Sequence, residues 1–126
     1  MNLNIINKLP FTELNISHGE KSIIIYNVLV DSGSMSTIIS TDTAFKLGLN
    51  PEEDDVIHTV CGVGGTEFVY EKSIDVVKIE NATINNMKIQ VGAMDYGFEI
   101  NAIIGMDFLT KTCAVIDLGR VTLTFV

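Results

Sequence analysis

Asn27-Val28-Leu29-Val30-Asp31-Ser32-Gly33-Ser34 is the stretch on which the reading of this chain turns. It closes a long β-rich run, Ser22 to Val30, that ends abruptly at the acid. Three apolar residues deliver Asp31 to the end of a buried strand, and Ser32-Gly33-Ser34 then turns the chain. An aspartate before x-Gly commonly caps its own backbone. It can also be presented for chemistry: Gly33 bends tightly and leaves room for another group, and Ser32 and Ser34 place hydroxyls near the carboxylate.

Outward from this stretch, strand signals dominate. Phe11 to Ser17 alternates loosely and meets Ser22 through a turn at His18-Gly19-Glu20. Residues 36–40 are short and β-branched, and Thr41 to Gly48 reads as a short helix with capping residues at its start and glycine at its end. Val56 to Val60 and Glu67 to Tyr70 flank Gly62-Val63-Gly64-Gly65, a hairpin with a glycine-rich tip. Ser73 to Ile79 and Met87 to Val91 are further strands about a polar turn at Asn81–Asn86. Ala102-Ile103-Ile104 is a short buried strand before Gly105, a second short helix starts near Asp107, and Ala114–Asp117 and Val121–Val126 close the chain. Eight to ten short strands and two short helices make a mostly β barrel or folded sheet, one domain over residues 1–126. Asn101-Ala102-Ile103-Ile104-Gly105 also repeats the pattern of Asn27-Val28-Leu29-Val30-Asp31: Asn, three apolar residues, then a break.

Composition narrows the function. The chain has 126 residues, 47% of them hydrophobic, and a net charge of −8, which suits a core and disfavours nucleic acid, whose phosphates attract basic surfaces. No apolar run reaches the roughly 18 residues of a membrane span, and the start lacks a signal-peptide pattern, so a cytoplasmic protein with no membrane partner is expected. Cys61 and Cys113 are too few for a disulfide framework and lack metal-ligand neighbours, so neither metal nor cofactor is expected. The acidic run Glu52–Asp55 reads as a solvated loop, without calcium-loop spacing. His18 and His58 read as surface or packing residues, and Asp107 as a helix cap.

The segment Val28–Ser34 with Ile38-Ile39-Ser40 resembles the active-site segment of retropepsin-like aspartic proteases, apolar-apolar-Asp-Thr/Ser-Gly-Ala/Ser. Ala102 to Leu109 is similar to that family's second signature, two apolar residues and Gly before a C-terminal helix, and the glycine-tipped hairpin lies where the family has its flap. Order and spacing agree from about Phe11 to the C-terminus. The resemblance implies the acid-protease fold as a single lobe, with Asp31 as the catalytic residue. Ser32, Gly33 and Ser34 would support the loop, with the Ser34 hydroxyl able to bond the carboxylate. Gly62, Val63, Gly64 and Gly65 would close over an extended polypeptide substrate. Of Ile103 and Ile104, before Gly105, one would be core and the other would line the groove. The chain has one Asp-Ser/Thr-Gly triplet, so a homodimer would supply the second carboxylate. Viral members carry an acid and an arginine where this chain has Met35 and Met106, and those two side chains are expected near each other or near the dimer interface. The competing readings are a retropepsin-like module that dimerises or binds peptide without cutting, and a nucleotide-binding Gly-x-Gly-Gly loop.

Overall fold

The structure, a computed structural model, describes residues 1–62, 65–97 and 99–126, and for residues 60–62 and 65 the backbone alone. Within them the chain runs β1 (Asn4–Ile6), β2 (Leu9–His18), β3 (Lys21–Val30), β4 (Ile38–Ser40), α1 (Thr41–Lys46), β5 (Ile57–Gly62), β6 (Gly65–Ile79), β7 (Ala82–Gly92), β8 (Ala102–Ile104), α2 (Met106–Lys111), β9 (Ala114–Asp117) and β10 (Thr122–Phe125). Eight strands form one sheet in the order β1-β2-β3-β8-β4-β7-β6-β5, and an added pairing of β2 with β6 closes six of them into a ring. This is the mostly β, retropepsin-like folded barrel that the sequence implied. The ring encloses the main core, where Leu14, Ile16, Ile39, Ile74, Val77 and Ile104 are fully buried. The hairpin β9–β10 lies apart from the ring as a two-stranded sheet, and the N-terminus pairs beside it through Leu3 N–H to the Val121 carbonyl at 2.9 Å.

Several boundaries differ from the sequence reading, each for a local reason. The expected strands at 67–70 and 73–79 are one strand, because β6 pairs continuously with β7 from Tyr70↔Val91 to Ile79↔Ala82. The polar turn expected over 81–86 shrinks to Glu80 and Asn81. Glu80 takes the left-handed conformation there (φ 50°), and Asn86 takes it again (φ 53°) inside β7. A strand before residue 9 was not anticipated: β1 folds back on β2 through Asn7 and Lys8, both at positive φ. Helix α1 is capped as expected, the Ser40 hydroxyl accepting from Thr43 N–H at 3.1 Å.

The short strand β8 holds the ring together. It lies parallel to β3, with Val28↔Ala102, Leu29↔Ile103 and Val30↔Ile104, and antiparallel to β4, which in turn lies parallel to β7. The two Asn-led segments of similar sequence are therefore neighbours. Their ladder extends at both ends, with Asn101 N–H to the Asn27 carbonyl at 3.0 Å and Asp31 N–H to the Ile104 carbonyl at 2.9 Å. Asn27, left-handed at φ 55°, sits where the β2–β3 register shifts. The extra residue lets both Ile25 and Val28 face the main core although they are an odd number apart.

Beyond β8 the chain presses against the turn that follows Asp31. A Cβ on Gly105 would lie 2.5 Å from the Ser36 carbonyl oxygen and 2.8 Å from that of Ser34. Met106 N–H donates to the Ser34 carbonyl at 2.8 Å and Asp107 N–H to the Met35 carbonyl at 3.2 Å. The residue capping α2 is Gly105, which has no side chain for the purpose. Asp107, expected as the cap, sits in the first turn. Its Oδ1 accepts from Phe108 N–H, and its carboxylate also reaches across to Thr37, accepting from Oγ1 at 2.7 Å and from N–H at 2.9 Å. Thr37 Oγ1 in turn accepts from Gly105 N–H at 3.2 Å.

A second clamp holds the root of the β5–β6 hairpin. Lys72, buried on β6, bonds Glu52 at 2.9 Å and Asp55 at 3.0 Å, so two of the four acids expected to be solvated bind the loop to the sheet. The Glu52 N–H bond to the Asp55 carboxylate holds that acid below its usual range. Lys72 adds to this, and burial works against it.

These contacts generate three predictions. Gly105→Ala drives a methyl into immovable backbone and should lower unfolding stability by about 3 kcal/mol. Thr37→Val, of nearly the same shape, strands Gly105 N–H and removes one of the two bonds to Asp107 Oδ1, and should cost about 1–3 kcal/mol; urea titration reads both. For Asp55 the folded-state pKa is depressed, so its contribution is present at neutral pH and is lost as the pH falls through that depressed value. Thermal melts of wild type and Asp55→Asn should therefore differ at neutral pH, begin to approach each other only below about pH 4, and converge once the pH is under the depressed value.

Candidate active site

Along β3 the side chains alternate beyond the bulge. Val28 and Val30 enter the main core, and Leu29 points to the opposite face, into a second buried cluster. Asp31 continues the Leu29 side. Its N–H is held by the Ile104 carbonyl, and its carbonyl accepts from Ser34 N–H at 3.1 Å, closing a turn. Gly33 N–H donates to Oδ1 at 2.9 Å, and a Cβ on Gly33 would sit 3.1 Å from that oxygen, so glycine gives the carboxylate its place. Oδ2 has no hydrogen-bond partner among the described residues, and the side chain is only half-buried. The fixed oxygen and the free one make a carboxylate that is oriented and open to a reactant.

The flanking serines divide. Ser32 is exposed. Ser34, expected beside the carboxylate, donates its hydroxyl to the Ser36 carbonyl at 2.8 Å, because the tight turn brings the Gly33 amide to the carboxylate first. Met35 is 87% exposed and Met106 39% exposed, and the segments carrying them run side by side through the Ser34 and Met35 carbonyl bonds to α2.

Beside Asp31 stands an apolar wall. Phe11 partners Leu29, Leu29 partners Ile103, and Ile103 partners Ile38 across four strands. Partnered residues project to one face, and these four cluster with Met94 and Ile100, with Leu9 and Tyr96 packed against them. Ile103 thus belongs to the wall on the Asp31 side, while Ile104 is fully buried in the main core.

Strands β5 and β6 pair from Ile57↔Tyr70 to Gly62↔Gly65. Of the glycine-rich tip, Gly62 and Gly65 end these strands; Val63 and Gly64 lie outside the described residues, as does the side chain of Cys61. A bond ties the hairpin to the wall: Tyr96 donates its hydroxyl to Glu67 Oε1 at 2.5 Å. Gly92 makes the approach possible, since a Cβ there would lie 3.0 Å from Val69 Cγ1 and 3.3 Å from Glu67 Oε2. Burial pushes the Tyr96 phenol far above its ordinary range. The Glu67 bond and charge, and then the charge of Asp31, push it further, so it stays a donor within the field of the Asp31 carboxylate. Tyr96, Glu67 and Gly92 went unread in the sequence. Tyr96 and Glu67 are 29 residues apart, and no local spacing signals their meeting.

His18 faces Asp75 at 3.6 Å and His58 faces Glu71 at 3.4 Å; Cys113 is an exposed free thiol. Among the described residues no three His, Cys, Asp or Glu side chains gather in a way that would hold a metal ion, and no helix is long and apolar enough to cross a membrane.

The family model described as "gag-polyprotein putative aspartyl protease" matches residues 24–111, a span that begins in β3 and ends with α2 and so contains Asp31, the hairpin, Gly105 and the apolar wall except for Phe11 and Leu9. No curated protein matches the chain. A carboxylate at the end of β3, locked by a glycine-terminated strand and helix within that span, agrees with the match, and the chain belongs to the retropepsin-like aspartyl protease family.

Proposed function

We propose that the chain is one subunit of a homodimeric aspartic endopeptidase that hydrolyses peptide bonds in extended polypeptides. The observation that carries this reading is the state of Asp31: one oxygen is fixed by Gly33 N–H, the other is free among the described residues, and the turn around it is exposed. An isolated carboxylate of this kind has no partner with which to divide acid and base roles. The single Asp-Ser-Gly triplet of the chain supplies that partner only through a second copy, and a two-fold axis near Asp31 would bring two such carboxylates together.

Two carboxylates at close range cannot both ionise, so they share one proton, as is established for aspartic proteases in general. The ionised Asp31 takes a proton from a water held between the two. The protonated Asp31 of the second copy donates to the scissile carbonyl as the water attacks it, and the resulting diol collapses with transfer of a proton to the leaving amine. The pair titrates as a unit, so its two pKa values belong to neither residue alone. By resemblance to the family, the Ser32 hydroxyl would reach the partner loop, the Gly33 carbonyl would accept from substrate, and the β5–β6 hairpin would act as the flap. Supporting the dimer is the exposed Met35 at 87% beside the carboxylate turn, an apolar side chain whose burial against a second copy is favourable.

The alternative is a module that dimerises or binds peptide without cutting, and one substitution separates the two. Asp31→Asn should abolish cleavage of a diverse peptide library between about pH 4 and 7 while dimerisation, measured by sedimentation, is retained. Wild-type rate should rise more steeply than linearly with protein concentration while dimers are scarce. Peptide binding without cleavage by a demonstrated wild-type dimer would favour the binding module.

A further inference from the structure

Gln90 is 8% exposed, and its side-chain oxygen is buried with no hydrogen-bond partner among the described residues. Its place in the sheet makes this informative. Gln90 partners Ile38 on β4, and Ile38 partners Ile103, which partners Leu29. It is therefore the next residue in the apolar row that flanks Asp31, on the same face of the sheet. Its chain neighbours Ile89 and Val91 point the other way, into the main core. On its far side stands Glu71 of β6, whose carboxylate faces His58 and offers Gln90 no donor.

A buried amide oxygen without a partner is uncommon in folded proteins, and the loss of its water is costly. An aliphatic residue would continue the row without that penalty. We propose that Gln90 determines substrate specificity: its amide, at the end of the apolar row, favours a neutral substrate side chain bearing a hydrogen-bond donor, that is Asn, Gln, Ser or Thr. The inference rests on the endopeptidase reading and adds a subsite preference to it. A carboxamide suits the site best, because it can donate to Oε1 and accept from Nε2 of the same group. An aliphatic side chain would leave Oε1 orphaned. A carboxylate would meet Glu71, and an ammonium would lose its water against Ile38 and Ile103.

The test compares cleavage-site profiles of wild type and Gln90→Leu on one diverse peptide library, with Asp31→Asn as the blank and each protein confirmed as a dimer by sedimentation; Gln90→Met replaces the leucine variant if that fails to fold. Wild type should prefer Asn, Gln, Ser or Thr at one position near the scissile bond. The variant should prefer aliphatic residues there, with the polar-to-aliphatic ratio of kcat/KM falling roughly tenfold or more and the other positions unchanged. Cleavage that depends on Asp31 but shows the same profile in both proteins overturns this inference alone, as does a basic preference at that position. A gain in melting temperature without a change of profile does the same and makes Gln90 a packing residue. No Asp31-dependent cleavage by the wild-type dimer removes the endopeptidase reading and this inference with it.

Discussion

The parallel pairing of β3 with β8 is the constraint from which the rest of the molecule follows. Parallel neighbours need a long crossover between them, and here the crossover contains the hairpin, α1 and the whole of β6 and β7. The pairing costs loop-closure entropy over more than half the chain, and it is returned through β8, three residues buried between β3 and β4. The ladder that joins them ends on Asp31 N–H, so the last bond of the structural framework is the first constraint on the carboxylate. Everything that follows Asp31 is then held from the β8 side, through Gly105, Met106 and Asp107.

The two faces of this small sheet do different work because of a one-residue irregularity. The left-handed Asn27 shifts the register of β3 against β2. Ahead of it, Ile25 faces the closed core; past it, Val28 and Val30 face that core and Leu29 and Asp31 face out of it. Asn27 is also gripped from the opposite segment, its side chain donating to Glu99 at 2.8 Å while Asn101 donates to the Tyr26 carbonyl at 2.9 Å. A bulge held in this way is a fixed feature rather than a slip, and it decides which face receives the acid.

Much of this was legible because it is local. A strand ending in Asp-Ser-Gly, an apolar triplet ending in Gly and a hairpin with a glycine tip each declare themselves within a few residues, and their order along the chain carried the fold. The resemblance between Asn27–Asp31 and Asn101–Gly105 was visible too, though its meaning as a pair of neighbouring strands was not. What escaped reading is what depends on distant partners. Lys72 looked like any lysine until Glu52 and Asp55 closed on it, Asp107 looked like a cap until Thr37 reached it, and Tyr96 and Glu67 meet only once Gly92 has cleared the space between them. The strand β1 escaped for another reason: Asn7 and Lys8 turn the chain by adopting positive φ, which composition signals weakly outside glycine.

The absent ion pair of viral members acquires a physical sense from these contacts. In those proteins an acid after the first motif and an arginine after the second join the two segments; here Met35 and Met106 stand at those positions, yet the segments are still joined. The work is done two residues farther along one segment and one residue along the other, by Asp107 on Thr37, with two bonds of 2.7 and 2.9 Å, and by main-chain bonds to the Ser34 and Met35 carbonyls. That clamp is partly buried and its carboxylate is also bonded to Phe108 N–H, so it is less screened than an exposed ion pair would be. With the loop secured inside one chain, the methionines are relieved of holding it and stand at the surface beside the carboxylate. In the proposed dimer their flexible, polarizable side chains would adapt to a neighbouring copy without demanding one geometry, which places dimer strength in apolar contact and leaves the orientation of Asp31 to the fold of each subunit.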